Sequence, residues 1–160
     1  MSGLQLKLKE IFGDAVVEVH DHRGDETAVV TRESLIQIAN YIKTDAHFKM
    51  DMLMDISCVD GLTMKWNPRF EVVYHFYSLA NNARLRLKVR VQEKDPIVPS
   101  LTAIWPAANW FEREVWDMFG IKFEGHPELK RILMYEGFKG HPLRKDYPVN
   151  KRQPLIGPKN

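Results

Sequence analysis

The chain has 160 residues, 44% hydrophobic and 28% charged, the proportions of an ordinary globular protein with enough chain to bury a core. Its 23 basic and 21 acidic residues leave a net charge of +2, without the basic excess usual in nucleic-acid binders. The single cysteine, Cys58, excludes an internal disulfide and any iron–sulfur or zinc site built from several thiolates of this chain.

Leu4, Leu8, Ile11 and Phe12 fall at helical spacing, and Gly13 is placed to stop that helix. AVVEV (15–19) and TAVV (27–30) read as strands joined by a polar turn. A second helix comes next, with Thr31 as its expected N-cap and Leu35, Ile38, Ala39 and Ile42 as its buried stripe. DMLMDISCVDG (51–61) reads as a strand with Met52, Met54, Ile56 and Cys58 on one face. Cys58 has no local base to activate it and reads as a small buried apolar residue.

Residues 70–91 read as a hairpin turning at Asn81-Asn82. A two-residue loop there places Phe76 opposite Leu87, Tyr74 opposite Val89 and Val72 opposite Val91, all on one face. The other face carries Arg84, Arg86, Lys88 and Arg90. That stripe is either a solvated sheet face or a docking surface for an acidic partner. In PAANWFEREVWDMFG, Pro106 suits a first helical position, Ala108, Phe111, Val115 and Met118 form the inward stripe, and Gly120 sits at the C-terminal cap.

These elements predict an α+β fold, a two-layer α/β sandwich in the order α-β-β-α-β-β-β-α over residues 1–120. Residues 121–160 hold five of the nine prolines and no sustained period, so a long irregular C-terminal tail is expected. Its many large apolar side chains argue against disorder, and the tail is expected to be ordered by a partner more than by its own domain.

The tripeptide GHP occurs twice in the tail, at Gly125-His126-Pro127 and Gly140-His141-Pro142. Metal ligation by the two histidines lacks an i, i+4 pair or a second cysteine to support it. The alternative is geometric: glycine permits a turn, proline fixes the backbone beyond it, and the imidazole bonds a neighbour. In the helix starting near Pro106, Glu112 and Glu114 diverge around the axis, whereas Arg113 and Asp117 stand four apart and are expected to pair on the surface. No GxGxxG, GxxxxGK[ST] or GxSxG motif is present, so residue chemistry provides neither a catalytic set nor a cofactor site in this chain.

The motifs ERE (112–114), DMFGI (117–121), F-x-GHP-x-L (123–129), RIL (131–133) and GHPLRKDYP (140–148) resemble the signature of one family. It is the 30-kDa subunit of bacterial respiratory complex I, NADH:quinone oxidoreductase. The closing KRQPL (151–155) is similar too, while Lys130 and Phe138-Lys139 depart from the commonest pattern. The resemblance implies a structural and assembly subunit of the peripheral arm, on the cytoplasmic side of the bacterial inner membrane and attached to it only through the complex. It implies the 49-kDa-type subunit and other peripheral-arm subunits as partners, no nucleic acid, and FMN and iron–sulfur clusters held by those partners. The residues it assigns to the partner interface are Glu112, Arg113, Glu114, Asp117, Gly120, Gly125, His126, Pro127, Arg131, Gly140, His141, Pro142, Leu143, Arg144, Lys145, Asp146, Tyr147 and Pro148. Arg144 is expected to grip an acidic residue of the 49-kDa-type neighbour, so that Arg144→Glu spares the isolated chain's melting temperature and abolishes assembly. Two other classes stay open: the equivalent subunit of a membrane-bound hydrogenase or of a dehydrogenase linked to ferredoxin or a reduced deazaflavin coenzyme, and a nucleic-acid-binding module using the basic hairpin face.

Overall fold

A computed structural model describes residues 3–154; Leu155, the last residue of KRQPL, lies outside the described residues. The chain runs α1 (Leu4–Phe12), β1 (Val16–His22), β2 (Asp25–Val30), α2 (Leu35–Thr44), β3 (Met52–Asp60), β4 (Phe70–Ser78), β5 (Ala83–Val91), β6 (Ile97–Pro99), α3 (Ala108–Phe119) and β7 (Lys122–Glu124). Five strands form one sheet in the order β1-β2-β5-β4-β3, antiparallel except for the parallel pair β2–β5. The small strands β6 and β7 pair in parallel.

One face of the large sheet carries the core. Val72, Tyr74 and Phe76 of β4 and Leu85, Leu87 and Val89 of β5 are buried in one cluster with Leu8 of α1, Ile38 and Ile42 of α2, and Ala108 and Val115 of α3. This is the expected two-layer arrangement, because the helical stripes and the strand alternation each supply one apolar face.

The hairpin register is offset by two residues from the expected one. Phe76 pairs with Leu85, Tyr74 with Leu87 and Val72 with Val89, across a loop from Leu79 to Asn82. Asn81 is spent elsewhere: its Nδ2 donates to the carbonyls of Ala46 (3.2 Å) and His47 (3.0 Å), tying the loop to the segment before β3. A slip of two keeps every side chain on its face, so the apolar and basic faces are as expected. In β3 the alternation fails instead. A bulge between Leu53 and Asp55 turns Leu53 into the core and leaves Met52 and Met54 exposed, while Ile56 and Cys58 are buried.

Two helix starts also differ. Residues 31–34 form a turn in which the Thr31 hydroxyl donates to the Ser34 hydroxyl (2.9 Å), and α2 begins one turn later than a Thr31 cap requires. Pro106 lies just before α3, in a turn where its carbonyl accepts Asn109 N–H (3.1 Å). At the other end Gly120 has φ 78° and its N–H donates to Trp116 O, the expected left-handed cap. The chain does not leave the domain there. Ile121 and Phe123 are buried in the core, and β7 begins at once.

The cationic hairpin face is largely neutralised within the chain. Arg86 pairs with Asp25 (2.9 Å), Lys88 with Glu71 (2.8 Å) and Arg90 with Glu18 (2.5 Å), while Arg84 stands 6.0 Å from the Tyr77 ring centre. Val29 and Val73, which flank Lys88 in the ladders, are buried on this face. The arrangement is that of a solvated sheet face and leaves little free charge for a polyanion.

Candidate functional site

The tail beyond β7 lies back on its own domain and is tied to it by carboxylates of α3 and β3. Asp117 forms the first tie. Its side chain is fully buried, its Oδ2 accepts the N–H groups of Ile132 (3.1 Å), Leu133 (2.9 Å) and Met134 (2.8 Å), and Arg131 Nη1 donates to Oδ1. Burial alone would raise the pKa of this carboxyl. The three N–H donors and the guanidinium outweigh burial and hold it below the usual aspartate range. Arg131 reaches on to the Gly140 carbonyl (3.0 Å). Arg113 does not pair with Asp117. Its guanidinium donates to the carbonyls of Lys130 and Arg131, both at 3.0 Å, because Asp117 points into the domain instead of along the helix surface.

The second tie joins β3, the segment before β4, and the second GHP motif. Buried Asp60 accepts from Arg69 Nε (2.9 Å) and Leu62 N–H (3.0 Å) at Oδ1, and from Arg69 Nη2 (2.7 Å) and Lys145 N–H (2.8 Å) at Oδ2. Burial opposes ionisation here, yet Arg69 and the two N–H donors hold the Asp60 pKa down at about 2. Arg69 also grips Asp146 of the tail (2.8 and 3.1 Å) and Glu93 (2.6 Å).

Arg144 faces the same domain. Its Nε donates to Phe119 O (2.6 Å) and its guanidinium lies 5.1 Å from the Phe70 ring centre. The contact is therefore with the end of α3, and the neighbouring Asp146 engages Arg69. Arg144→Glu is accordingly expected to destabilise the isolated chain by roughly 1–3 kcal/mol, the value of a hydrogen bond to a charged group plus repulsion from the Phe119 carbonyl. Thermal melting checks this; an unchanged midpoint would return Arg144 to the surface role that HPLRKDYP suggested.

The two histidines behave geometrically. His126 Nδ1 accepts Glu128 N–H (3.0 Å), so its Nε2 carries the proton donated to Asn109 O (3.0 Å). His141 Nδ1 donates to Asp117 O (3.0 Å) and its ring meets Trp116 edge-on at 6.5 Å. Burial, with Arg144 and Arg131 nearby, pushes the His141 pKa down. A Cβ at Gly120 would stand 2.6 Å from His141 Nε2 and 2.9 Å from Arg144 Nη2, so glycine there permits both the turn and the docking. Among the described residues, no group of three or more His, Cys, Asp or Glu side chains is arranged to hold a metal ion.

Glu112 is buried, and among the described residues it has no cationic partner. Its carboxyl accepts from Ser100 Oγ and Leu101 N–H, both at 2.6 Å, fastening the segment after β6 to α3. Burial raises its pKa to about 7 against those two donors. The folded chain thus holds this proton more tightly than the unfolded chain, so the group's contribution is full below about pH 4.5 and is lost as pH rises through 7. Between roughly pH 5 and pH 8 this removes about 2–3 kcal/mol of stability. Glu112→Gln keeps an acceptor for Leu101 and a donor for Ser100 Oγ, and is expected to flatten that part of the melting profile. Parallel profiles for the two proteins would show that Glu112 does not titrate there.

Of the interface residues expected from the sequence, Glu112, Asp117 and Gly120 are buried within the chain, whereas Glu114, Gly125, Pro127, Leu143, Lys145, Asp146 and Pro148 are exposed. Gly125, Arg113, His126, Arg131, Gly140, His141, Pro142, Arg144, Asp146 and Tyr147 shape the docked tail between them. Gly125 and Gly140 have φ 84° and 100°, and a Cβ at Gly140 would stand 2.9 Å from the Tyr147 ring. Tyr147 stacks on Phe138 at 6.0 Å, and Phe138 meets Tyr135 edge-on at 5.6 Å. Sequence reasoning missed Asp60 and Arg69, which have no local signature. It also missed Trp110, 69% exposed on α3. A tryptophan off the apolar stripe of an amphipathic helix was its available signal.

The family described as respiratory-chain NADH dehydrogenase, 30 Kd subunit, matches residues 28–153. An NADH-quinone oxidoreductase subunit from Geobacter sulfurreducens is 42% identical over 154 residues, covering 95% of this chain and 93% of that protein. Its namesake from a Roseiflexus species is 45% identical over 147 residues, covering 92% and 83%. Among solved structures, the trypsin-resistant fragment (1-134) of Nqo5 superposes with a TM-score of 0.68 at 36% identity, covering 79% of this chain and 98% of the fragment. A chain of the membrane-bound sulfane sulfur reductase, an archaeal respiratory membrane complex, shares the fold at TM-score 0.74 and 22% identity, covering 91% of this chain and 84% of its own. With the family match spanning most of the domain and both tail ties, the chain belongs to the 30 Kd subunit family of respiratory-chain NADH dehydrogenase.

Proposed function

We propose that this chain is a non-catalytic structural subunit of the peripheral arm of an NADH:quinone oxidoreductase, and that its docked tail is the surface its neighbours read. The observation that carries this is the tail itself. Its polar groups are used inward, on Asp117, Asp60 and Arg69, while Leu133 and Leu143 remain 56% and 49% exposed on the segment so fixed. A rigid, preformed strip with outward apolar groups favours association, because little ordering is left to be done on binding. The partner is the 49-kDa-type subunit, with FMN and iron–sulfur clusters in the partner subunits. The location is the cytoplasmic face of the bacterial inner membrane. Among the described residues no helix is long and apolar enough to cross a membrane, which fits attachment through the complex.

Such a subunit influences electron transfer by fixing the positions of cluster-bearing neighbours. The test is to tag this chain in its host, isolate the native complex and identify its companions, with NADH:quinone activity as a second readout. The 49-kDa-type subunit and other peripheral-arm proteins are expected, and Leu143→Asp should deplete them and the activity together. Isolation without any NADH:quinone oxidoreductase subunit would overturn the proposal.

A further inference from the structure

We infer that the closing turn of the tail is an electrostatic docking patch for a carboxylate-rich surface of a neighbouring protein subunit. The inference rests on the reading of the tail as an interface and specifies the chemistry of the surface it meets. Residues 121–160 carry nine Lys and Arg against four Asp and Glu, whereas residues 1–120 carry 14 against 17. The charge is therefore separated along the chain, and the near-neutral total conceals a basic tail on an acidic domain.

Geometry concentrates the surplus. Lys151 N–H donates to Pro148 O (3.0 Å), turning the chain back so that Lys151 Nζ stands 5.1 Å from the Tyr147 ring centre. Gln153 Nε2 then bridges Lys139 O (3.2 Å) and the Tyr147 hydroxyl (2.9 Å). The Lys139 carbonyl and residues 151–153 are thus drawn to Tyr147, and Lys139, Lys151 and Arg152 are all exposed. Ion pairs in the tail engage Lys130, Arg131 and Asp146; among the described residues none engages Lys139, Lys151 or Arg152.

The hairpin provides the contrast. There the same chain sets its own carboxylates against Arg86, Lys88 and Arg90. Around Tyr147 it supplies exposed cations and leaves the counter-charge to come from elsewhere. A protein surface fits better than a nucleic acid or a lipid surface, because an extended polyanion would also meet the acidic domain that carries the tail. Clustered opposite charges at an interface rim accelerate association and fix orientation, and they make it salt-sensitive.

The test uses the full chain, tagged in its native complex. Lys139→Glu, Lys151→Glu and Arg152→Glu are combined, with a Gln triple variant in case the Glu version folds poorly, and melting of the isolated chains monitors the fold. Companion recovery is measured against NaCl concentration. The Glu triple is expected to lower recovery at physiological salt by at least about fivefold, with the Gln triple between it and the wild type. Wild-type recovery in the triple variants while Leu143→Asp loses its companions would overturn this inference and leave the interface reading standing. Full recovery in both would overturn the two together. If the triple variants keep their companions but lose binding to phosphatidylglycerol vesicles, the patch faces a membrane and the inference fails.

Discussion

Asp117→Ala is expected to lower the stability of the isolated chain by roughly 3–5 kcal/mol, the cost of removing one partner from a buried ion pair. For a chain of this size that corresponds to a fall in melting temperature of about 6–20 °C. Arg131, largely buried, loses its counter-ion, and the N–H groups of Ile132, Leu133 and Met134 lose their shared acceptor. Asparagine is no remedy, because its amide would aim a donor either at Arg131 or at the three N–H groups. Glu114→Ala, on the exposed face of the same helix, should stay within about 0.5 kcal/mol. Trypsin gives an independent readout, since Arg131 and Lys139 lie in the segment that Asp117 and Arg131 hold. The variant is expected to be cut there well before the wild type. A melting point within about 2 °C of the wild type, with equal resistance to trypsin, would show that the tail's order does not depend on Asp117. Because the folded-state pKa is depressed, this contribution is complete above the ordinary aspartate range and is lost as pH falls below it.

The helices and the sheet were legible because their information is local. The stripes of α1, α2 and α3 and the alternation of β4 and β5 each bury one face whatever the precise pairing, so even the two-residue offset of the hairpin left the layers intact. Where a long-range contact intervened, local reading failed. Asn81 suits a two-residue turn but is held by carbonyls of residues 46 and 47, and the β3 bulge reverses the roles of Leu53 and Met54.

The same distinction applies to the acidic residues of α3. Helical spacing puts Arg113 and Asp117 on neighbouring turns, and nothing local says that Asp117 is buried beneath residues 131–134. A carboxylate can be taken from water when enough donors converge on it. Those donors are backbone N–H groups of a segment without periodicity, which carries no residue-type signature. The apolar content of the tail marks it as ordered, but the surface ordering it is first its own domain. The charge separation between tail and domain was present in the residue order, yet its meaning depends on which cations the fold neutralises.

Arg69→Met tests the other end of the tail. Methionine fills much of the volume of the arginine stem but removes every donor that faces Asp60, Asp146 and Glu93. Asp60 is the decisive partner because its side chain is fully buried. With Arg69 present its pKa is about 2 against an unfolded value of 3.8, so ionised Asp60 contributes about 2 kcal/mol at neutral pH. That contribution is complete above about pH 4 and is lost as pH falls through 2. Without Arg69 the carboxylate keeps only the N–H groups of Leu62 and Lys145, and its pKa must rise. The expected cost at pH 7 is roughly 3–5 kcal/mol, shrinking as acid neutralises Asp60. Asp146 is half-exposed, so its bond to Arg69 is worth much less, about 1 kcal/mol or below. Asp146→Asn should therefore leave the melting point nearly unchanged while speeding amide exchange over residues 143–147. Combined with Arg69→Met it should add almost nothing, because both changes break the same contact. If amide exchange over residues 143–147 is instead unchanged in Asp146→Asn, Arg69 supports Asp60 alone and the tail is held at this end by the Lys145 N–H and Arg144.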